Sequence, residues 1–425
     1  MVSTILNFCN KIKNFPYFFV TPLPYAIGNA SEQILLAANK AKVHKKKIII
    51  IYTNFLSGFL KYKIANRILF EGLTFNKEKY LTNDILKNLI RFLLEIEFFV
   101  IRLIVILNDI TVKIKIPEDK RFLSIGIQEI YGNNRKKIKK IQEIKFSSIP
   151  KFNINYNLTD IKTKINIECQ NKLKRFDLDN KRKFVCLHVR DDKYRNDKGR
   201  KDYRNSNINN YIESIIYLIK KNYLVIRIGD KPINKIKFKN KNFLDYPNSK
   251  IKSSQMDLYL IKNCSFYIGT QSGPMDTAYL FNKPVLMTNM CEIFASLPRK
   301  KEDRGIFKKV LTKKNKLLSI REFTNLPYKY HNPEIEIKNL KFVENTPEEL
   351  LMSVKEFSEN LYKNKKVSRM QINFNKFLIK RFEELFYENK HKVSLVNHTD
   401  AIKMIRMFKT AEGFFLNHYL KKNFF

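Results

Sequence analysis

The chain has 425 residues, 44% of them hydrophobic and 13% aromatic, which is enough to bury two or three cores and too apolar for a disordered chain. Its formal charge of +41 is carried mostly by lysine, in a chain also rich in asparagine and isoleucine, a bias that an AT-rich genome imposes on a whole proteome. No zinc finger, basic zipper or aromatic-interleaved RNA-binding motif accompanies the charge, which argues against nucleic acid but leaves an attraction for nucleotide diphosphates, lipid phosphates or an acidic membrane face.

In chain order, Met1–Asn14 has its apolar run broken by polar residues and lacks a small-residue cleavage site, so it does not read as a secretory signal. Tyr17–Thr21 is a short apolar strand entering the loop Pro22–Ala30, and a helical pattern runs from Ser31 to about Val43. Lys47–Tyr52 is a β-branched run of the kind buried in a parallel sheet, so the chain opens as a βαβ unit with Gly28 at its first turn. Residues 55–108 read as mainly helical. Within them Leu89–Leu107 is the stretch nearest to a membrane span, but Arg91, Glu95, Glu97 and Arg102 interrupt it, which favours a buried or amphipathic helix. Thr111–Ile116 and Phe122–Ile127 are weaker strand patterns, and the lysine-rich stretch 133–180 reads as the end of the first half.

From Arg182 onward strands and helices alternate regularly. Strands are expected at Phe184–Val189, Leu224–Ile228, Phe266–Ile268 and Pro284–Met287. Helices are expected at Asn207–Lys221 (capped by Asn205 or Ser206), Gln255–Lys262 and Asp276–Phe281. This alternation predicts an α/β, doubly wound domain with ligands beyond the carboxyl ends of its strands. Thr346, Pro347 and Glu349 form a capping box opening a helix to Tyr362, and a second helix follows at Gln371–Lys390. The expected organisation is residues 1–175, an α/β half with a helical insert; 176–362, a Rossmann-like half; and 363–425, a helical tail. Cys9, Cys169, Cys186, Cys264 and Cys291 are scattered and odd in number, with no C-x-x-C pair, which suits a reducing cytoplasm and offers no zinc site.

Two stretches of the second half carry chemistry. Phe266-Tyr-Ile-Gly-Thr-Gln-Ser-Gly-Pro-Met-Asp runs from a strand through a loop that Gly269, Ser272 and Gly273 keep free of bulk. A ligand could thus approach a helix N-terminus there, although an ordinary strand-to-helix turn reads the same way. Phe184-Val-Cys-Leu-His-Val-Arg-Asp-Asp-Lys-Tyr-Arg places His188, Arg190, Lys193 and Arg195 at or past a strand end. The guanidinium fork of arginine matches phosphate oxygens; a structural ion pair with Asp191 or Asp192 is the alternative. Gly229 and Asp230, after Val225-Ile-Arg-Ile, fall where a ribose or base could rest, or form a plain turn. The one Asp-x-Asp, Asp177-Leu-Asp179, precedes a strand in a charged loop and reads as solvated surface, so no metal ligands are expected. Glu32, one turn past Gly28-Asn29, is the candidate general base for an acceptor hydroxyl, with helix capping as its alternative role.

The Ser-Gly-Pro-Met loop resembles that of heptosyltransferases (Asp-Ser/Thr-Gly-Pro-Met-His-x-x-Ala), with Ser272, Gly273, Pro274, Met275 and Ala278 matching. Gln271 stands where that family has its acidic residue and Asp276 where it has histidine. His188-x-Arg190 and Ile27-Gly28-Asn29 resemble the phosphate-gripping motif and Gly-Asn turn of the fucosyltransferase superfamily. Together with Tyr203-Arg-Asn and Glu344-Asn-Thr-Pro-Glu-Glu, these motifs are similar to a group of bacterial surface-polysaccharide glycosyltransferases of GT-B type, mainly over residues 184–362.

That resemblance implies a GT-B-like α/β fold, two Rossmann-like domains facing a cleft with C-terminal helices, in a cytoplasmic enzyme able to sit peripherally at the inner membrane face. It implies sugar transfer from a nucleotide-sugar donor to a glycan, lipid-linked or surface-polysaccharide acceptor, with no metal or other cofactor. Arg190 would stabilise the leaving diphosphate and Glu32 would act as base. Gly28, Asn29, His188, Lys193, Arg195, Gly229, Asp230, Gln271, Ser272, Gly273 and Asp276 would bind the donor. A nucleotide-sugar epimerase of the same fold, a basic nucleic-acid binder and a catalytically dead sugar-nucleotide sensor are the rival readings.

Overall fold

The computed structural model describes residues 2–52, 64–75, 84–111, 125–131, 144–174, 183–191, 202–231, 235–292, 297–325, 340–363, 366–389 and 395–423. The chain divides into two units. One comprises Met1–Asn134, Ile154–Cys169 and Tyr279–Asn282; the other comprises Arg135–Asn153, Gln170–Ala278 and Lys283–Phe425.

The first unit opens with helix α1 (Val2–Lys11), strand β1 (Tyr17–Val20), helix α2 (Ile27–Val43) and strand β2 (Lys47–Ile50). β1 and β2 pair in parallel, Phe18 opposite Ile48 and Phe19 opposite Ile49, which is the expected βαβ opening. A short helix α3 (Ile68–Glu71), strand β3 (Leu73–Phe75), the long helix α4 (Asp84–Thr111), helix α5 (Ile127–Tyr131) and strand β4 (Thr159–Ile161) follow in this unit, with β3 antiparallel to β4. Its core gathers Leu6, Phe19, Ile49, Ile51, Ile90, Leu94 and Ile125. Asn10 closes the free edge of β1: its side-chain amide donates to the Phe19 carbonyl at 2.8 Å, and its oxygen accepts the Phe19 N–H at 2.7 Å.

Several expectations for this half are corrected. α2 starts at Ile27, four residues before Ser31, so Gly28 and Asn29 lie in its first turn rather than in a loop. Ala26 is extended and makes no side-chain cap; weak helix formers such as glycine and asparagine are tolerated in a first turn, where the backbone donors lack intrahelical partners anyway. Thr111 ends α4, and 112–116 lies outside the described residues. Of Phe122–Ile127 only Ile125–Ile127 is described, and it bends into α5 instead of extending. The stretch 133–180 holds β4 and helix α6 (Thr163–Lys174), and the chain passes between the two units within it, after Asn134, Asn153 and Cys169.

The second unit holds a seven-stranded parallel sheet built from β5 (Phe184–His188), β6 (Leu224–Arg227), β7 (Phe243–Asp245), β8 (Phe266–Gly269), β9 (Val285–Met290), β10 (Arg304–Phe307) and a late strand, β14 (Phe414–Phe415). Between these run helices α7 (Ile212–Lys220), α8 (Ser254–Asn263) and α9 (Gly273–Leu280). β6, β8 and β9 are buried along their whole length, as near-continuous apolar runs must be when helices cover both faces of a sheet. The α/β class expected from the strand–helix alternation is the one the chain adopts. A smaller antiparallel sheet of β11 (Lys309–Thr312), β12 (Leu317–Leu318) and β13 (Leu340–Val343) precedes helix α11 (Pro347–Lys363), with helix α10 (Ile320–Asn325) between β12 and β13.

The strand order is β14-β10-β9-β8-β5-β6-β7. The chain lays down β5, moves outward through β6 to β7, then crosses back to place β8 on the other flank of β5. Here the connections leaving two adjacent strands run in opposite directions and leave a crevice at their carboxyl ends. Pairing is in register to the last residue, with His188 opposite Gly269.

The remaining helices, α12 (Arg369–Asn389), α13 (Leu395–Thr410) and α14 (Asn417–Asn423), also belong to this unit. The segment 363–425, expected as a helical tail, adds a strand to the sheet: Phe414 pairs with Arg304 and Phe415 with Gly305 of β10. Phe415 stacks on Phe307 at 4.7 Å between ring centroids.

The expected capping box is present. The Glu349 N–H donates to Thr346 Oγ1 at 3.2 Å, and the Thr346 N–H donates to Glu349 Oε2 at 3.1 Å. Replacing Thr346 with alanine should lower unfolding stability by about 1 kcal/mol, measured by chemical denaturation. An unchanged midpoint would mean that packing of α11 alone sets its start.

Candidate functional site

The carboxyl ends of β5 and β8 are tied together one step beyond the sheet. The Thr270 N–H donates to the His188 carbonyl at 3.2 Å, and the Arg190 N–H returns to Thr270 Oγ1 at 3.1 Å. Only glycine fits at 269, because a Cβ there would stand 2.8 Å from the His188 carbonyl oxygen. The two loops then place His188 beside Ser272, whose hydroxyl lies 2.9 Å from His188 Nδ1 and 3.1 Å from the Thr270 carbonyl. If the hydroxyl gives its proton to Thr270, Nδ1 is the donor and Nε2 an acceptor; if it turns to His188, Nε2 carries the proton. One hydroxyl rotation therefore switches the polarity of the outer imidazole nitrogen.

His188 is neutral at ordinary pH. Burial, reinforced by the Arg227, Arg190 and Lys252 cations, pushes its pKa down to about 3. Gly229, after β6, packs on its ring: its φ is +125°, and a Cβ would come 3.1 Å from His188 Cδ2. The backbone conformation and the close approach both require glycine there. The adjacent Asp230 points largely to solvent, 4.0 Å from Lys252 Nζ, which itself is 2.5 Å from Asp257 Oδ1.

Arg190 and Lys308 converge on one residue. The Arg190 guanidinium donates to the Asn205 side-chain oxygen, and Lys308 Nζ donates to the Asn205 carbonyl at 2.5 Å. The Ser206 N–H holds the Arg190 carbonyl at 3.1 Å. Lys308 sits between β10 and β11, and burial lowers its pKa. Next to them Arg204 donates to the Gln271 carbonyl at 2.7 Å and lies 3.9 Å from Glu292, which also accepts the Tyr203 hydroxyl at 2.8 Å. Burial, then Glu292, raises the Tyr203 phenol pKa, so this hydroxyl stays protonated.

Gln271 and Asp276, both expected to meet the donor, are engaged within the protein. Gln271 is buried; its Oε1 accepts the Cys291 and Glu292 N–H groups at 2.8 and 2.9 Å, and its amide donates to the Glu292 carbonyl at 2.9 Å. A glutamine suits this clasp because it can both accept and donate, which a carboxylate cannot do. Asp276, in the first turn of α9, accepts from Arg299 at 2.6 Å. Gly273 opens α9. Lys193 and Arg195 lie outside the described residues. In the first unit, Gly28 is buried, Asn29 is exposed, and Glu32 accepts the Tyr131 hydroxyl at 2.9 Å.

The Glu344-Asn345-Thr346 motif braces the end of β9. Asn345 and Asn289 bond reciprocally, at 2.7 and 2.8 Å, and Asn345 also donates to the Phe307 carbonyl. Asn289 adopts a positive φ of 51°. Glu344 accepts from the Asn207 N–H at 2.7 Å and from the Asn210 amide at 3.1 Å. The cap preceding α7 is Asn207, not Asn205 or Ser206: its side chain accepts from Asn209 N–H, leaving Asn205 to serve Arg190 and Lys308. Sequence reasoning also missed Lys308, Glu292 and Thr270. A lysine wedged between two apolar strands was the one available signal for Lys308.

Among the described residues, no group of three or more His, Cys, Asp and Glu side chains is arranged to hold a metal ion. No protein-family model matches the chain, and no curated protein matches it. Among solved structures, it is similar to E. coli ADP-heptose lps heptosyltransferase II, at 10% identity and a TM-score of 0.36, over 81% of this chain and 99% of that one. It is similar also to a glycosyl transferase family 9 protein from Veillonella parvula, at 11% identity and TM-score 0.34, over 64% and 80% of the two chains. A third likeness is to the iron-containing dodecameric glycosyltransferase TibC from enterotoxigenic E. coli, at 12% identity and TM-score 0.31, over 83% and 80%. At such scores the functional reading rests on the site's own residues.

Two outcomes test this geometry. The His188 ring should not titrate between pH 5 and 8 when followed by imidazole NMR. Its folded pKa lies below the unfolded value of 6.5, so its contribution to stability is complete above pH 6.5 and is lost as pH falls toward about 3. A midpoint near 6.5 would refute the buried, cation-flanked environment. Gln271→Ala leaves the Cys291 and Glu292 N–H groups without their acceptor and should cost roughly 1–3 kcal/mol of unfolding stability per stranded group; an unperturbed melt would show that Gln271 is not the clasp of this loop.

Proposed function

We propose that the chain is a glycosyltransferase that takes its sugar from a nucleotide-sugar donor bound by the second unit and needs no metal ion. The observation that carries this reading is the convergence of Arg190 and Lys308 on Asn205, beside the His188–Ser272 pair, at the switch point between β5 and β8. Departure of a nucleoside diphosphate develops negative charge on its phosphate oxygens. Fixed cations and hydrogen-bond donors already in place stabilise that charge without reorganising.

In this reading Arg190 faces the diphosphate and stabilises its developing charge, with Lys308 held on the same residue, Asn205. Ser272 and the neutral His188 supply orientable hydrogen bonds to phosphate or ribose, and Gly273, at the head of α9, lets the ligand approach the backbone. Gly229 and Asp230 border the nucleoside. Gln271 and Asp276 shape the loop through Glu292 and Arg299 rather than touching the donor. Lys193 and Arg195 are further candidates for the phosphates. On the first unit, Glu32 is proposed as the base for an acceptor hydroxyl, with Gly28 and Asn29 near it in α2; the acceptor class is a glycan, lipid-linked or surface polysaccharide.

A thermal-shift screen against GDP, UDP, ADP, CMP and their sugar conjugates should show stabilisation by one nucleotide family, diminished in Arg190→Ala. With the donor so found, Arg190→Ala should lower kcat by at least roughly a hundredfold, the equivalent of losing about 2.7–4 kcal/mol of charge stabilisation, with the fold intact. Turnover should persist in EDTA. Near-normal turnover of the variant would defeat the assignment of Arg190. Conversion of the donor with no acceptor present would identify an epimerase, and loss of activity in EDTA would refute metal independence.

A further inference from the structure

Among its described residues the first unit carries an apolar surface outside its buried core. Helix α4 buries Ile90 and Leu94 and turns Leu89, Phe92, Ile96, Phe99, Leu103 and Leu107 to solvent, with Phe92 62% exposed. The spacing of three, four, three, four and four puts these six on one stripe. With the exposed Leu93, Val100 and Ile104 beside them, the apolar arc spans about 140° of the helix at 3.6 residues per turn and runs for about 27 Å. Surface hydrophobics scattered singly are ordinary; a continuous stripe of this size marks a binding surface.

The neighbouring helix repeats the pattern. α1 is held to α4 by Ser3, whose N–H and hydroxyl both donate to Glu97, at 2.8 and 2.7 Å. It exposes Ile5 and Phe8, the latter at 64%. The carboxyl end of α1 meets a basic cluster: Lys46 Nζ donates to the Asn10 and Ile12 carbonyls, both at 2.8 Å, bringing the end of α2 against the end of α1. Lys11, Lys13, Lys42, Lys45 and Lys47 are exposed around this junction. Among the described residues no helix is long and apolar enough to cross a membrane.

We propose that this face of the first unit docks on an anionic lipid bilayer, with α4 lying in the interface plane. An amphipathic helix buries its apolar stripe at the boundary of headgroups and acyl chains, and adjacent lysines add attraction to acidic lipids, each worth about 1 kcal/mol near the surface. Charge decides in favour of lipid over a second copy of the chain: two such faces brought together would oppose their lysine clusters, whereas an acidic leaflet neutralises them. The proposal is independent of the assignment of the site at β5 and β8.

The test uses the full chain, which contains no tryptophan, so that Phe99→Trp reports alone. With phosphatidylcholine vesicles containing phosphatidylglycerol, the protein should cosediment and the introduced tryptophan should shift to the blue. With phosphatidylcholine alone, binding should be at least about tenfold weaker. The triple variant Phe92→Ser, Ile96→Ser, Leu103→Ser changes only exposed side chains and should lose at least about tenfold in vesicle binding with an unaltered melting temperature. The triple variant Lys11→Glu, Lys13→Glu, Lys45→Glu should lose the preference for the acidic lipid. Absence of cosedimentation and of a fluorescence shift would overturn the proposal. So would a lipid-free dimer, detected by sedimentation, that the apolar triple variant dissolves.

Discussion

The arrangement of the second unit depends on the reversal between β5 and β8. Two parallel strands lie in register to their last residues, His188 and Gly269, yet their connections depart in opposite directions. Backbone groups beyond the sheet then lose their ladder partners. The chain compensates locally: Thr270 bonds the His188 carbonyl, and its hydroxyl takes the Arg190 N–H. Glycine at 269 and 229 lets the walls come close enough for this, the first against a carbonyl and the second against the His188 ring. A side chain at either position would press on His188 and disturb its contact with Ser272.

Electrostatics reinforces the geometry. Burial, with the Arg227, Arg190 and Lys252 cations, disfavours the charged form of His188, so the ring remains a neutral hydrogen-bonding group. Arg190 and Lys308 are both anchored on oxygens of Asn205, which fixes their direction. Fixed charge and neutral, rotatable donors in one crevice suit a ligand that itself brings the anion.

Much of this was legible in the sequence because parallel strands buried on both faces read as unbroken apolar runs. Phe184–His188, Leu224–Arg227 and Phe266–Gly269 stood out for that reason, and the polar residues that follow them drew attention to the strand ends as a candidate site. The capping box at Thr346 was legible because its two hydrogen bonds are local. What escaped depended on distant partners. Gln271, expected to meet the donor, holds the backbone of Cys291 and Glu292, twenty and twenty-one residues away in the chain. β14 has only two residues and exists because β10 offers it an edge, which no local pattern records. Lys308 gains its place from Asn205, more than a hundred residues earlier. The early start of α2 was missed because glycine and asparagine at 28 and 29 read as a turn unless the helix beyond them is known to begin uncapped.

The proposed reading places a nucleoside diphosphate in the crevice between β5 and β8. The most direct measurement is imidazole nitrogen NMR of His188 during titration with the nucleoside diphosphate that stabilises the protein. A saturable shift of the His188 ring signals is expected, absent when Ser272 is replaced by alanine and Arg190 by alanine together, because the ligand's anionic oxygens would reorganise the His188–Ser272 hydrogen bond. A nucleotide that binds with full saturation while the His188 signals stay unmoved would place the diphosphate elsewhere and contradict the account.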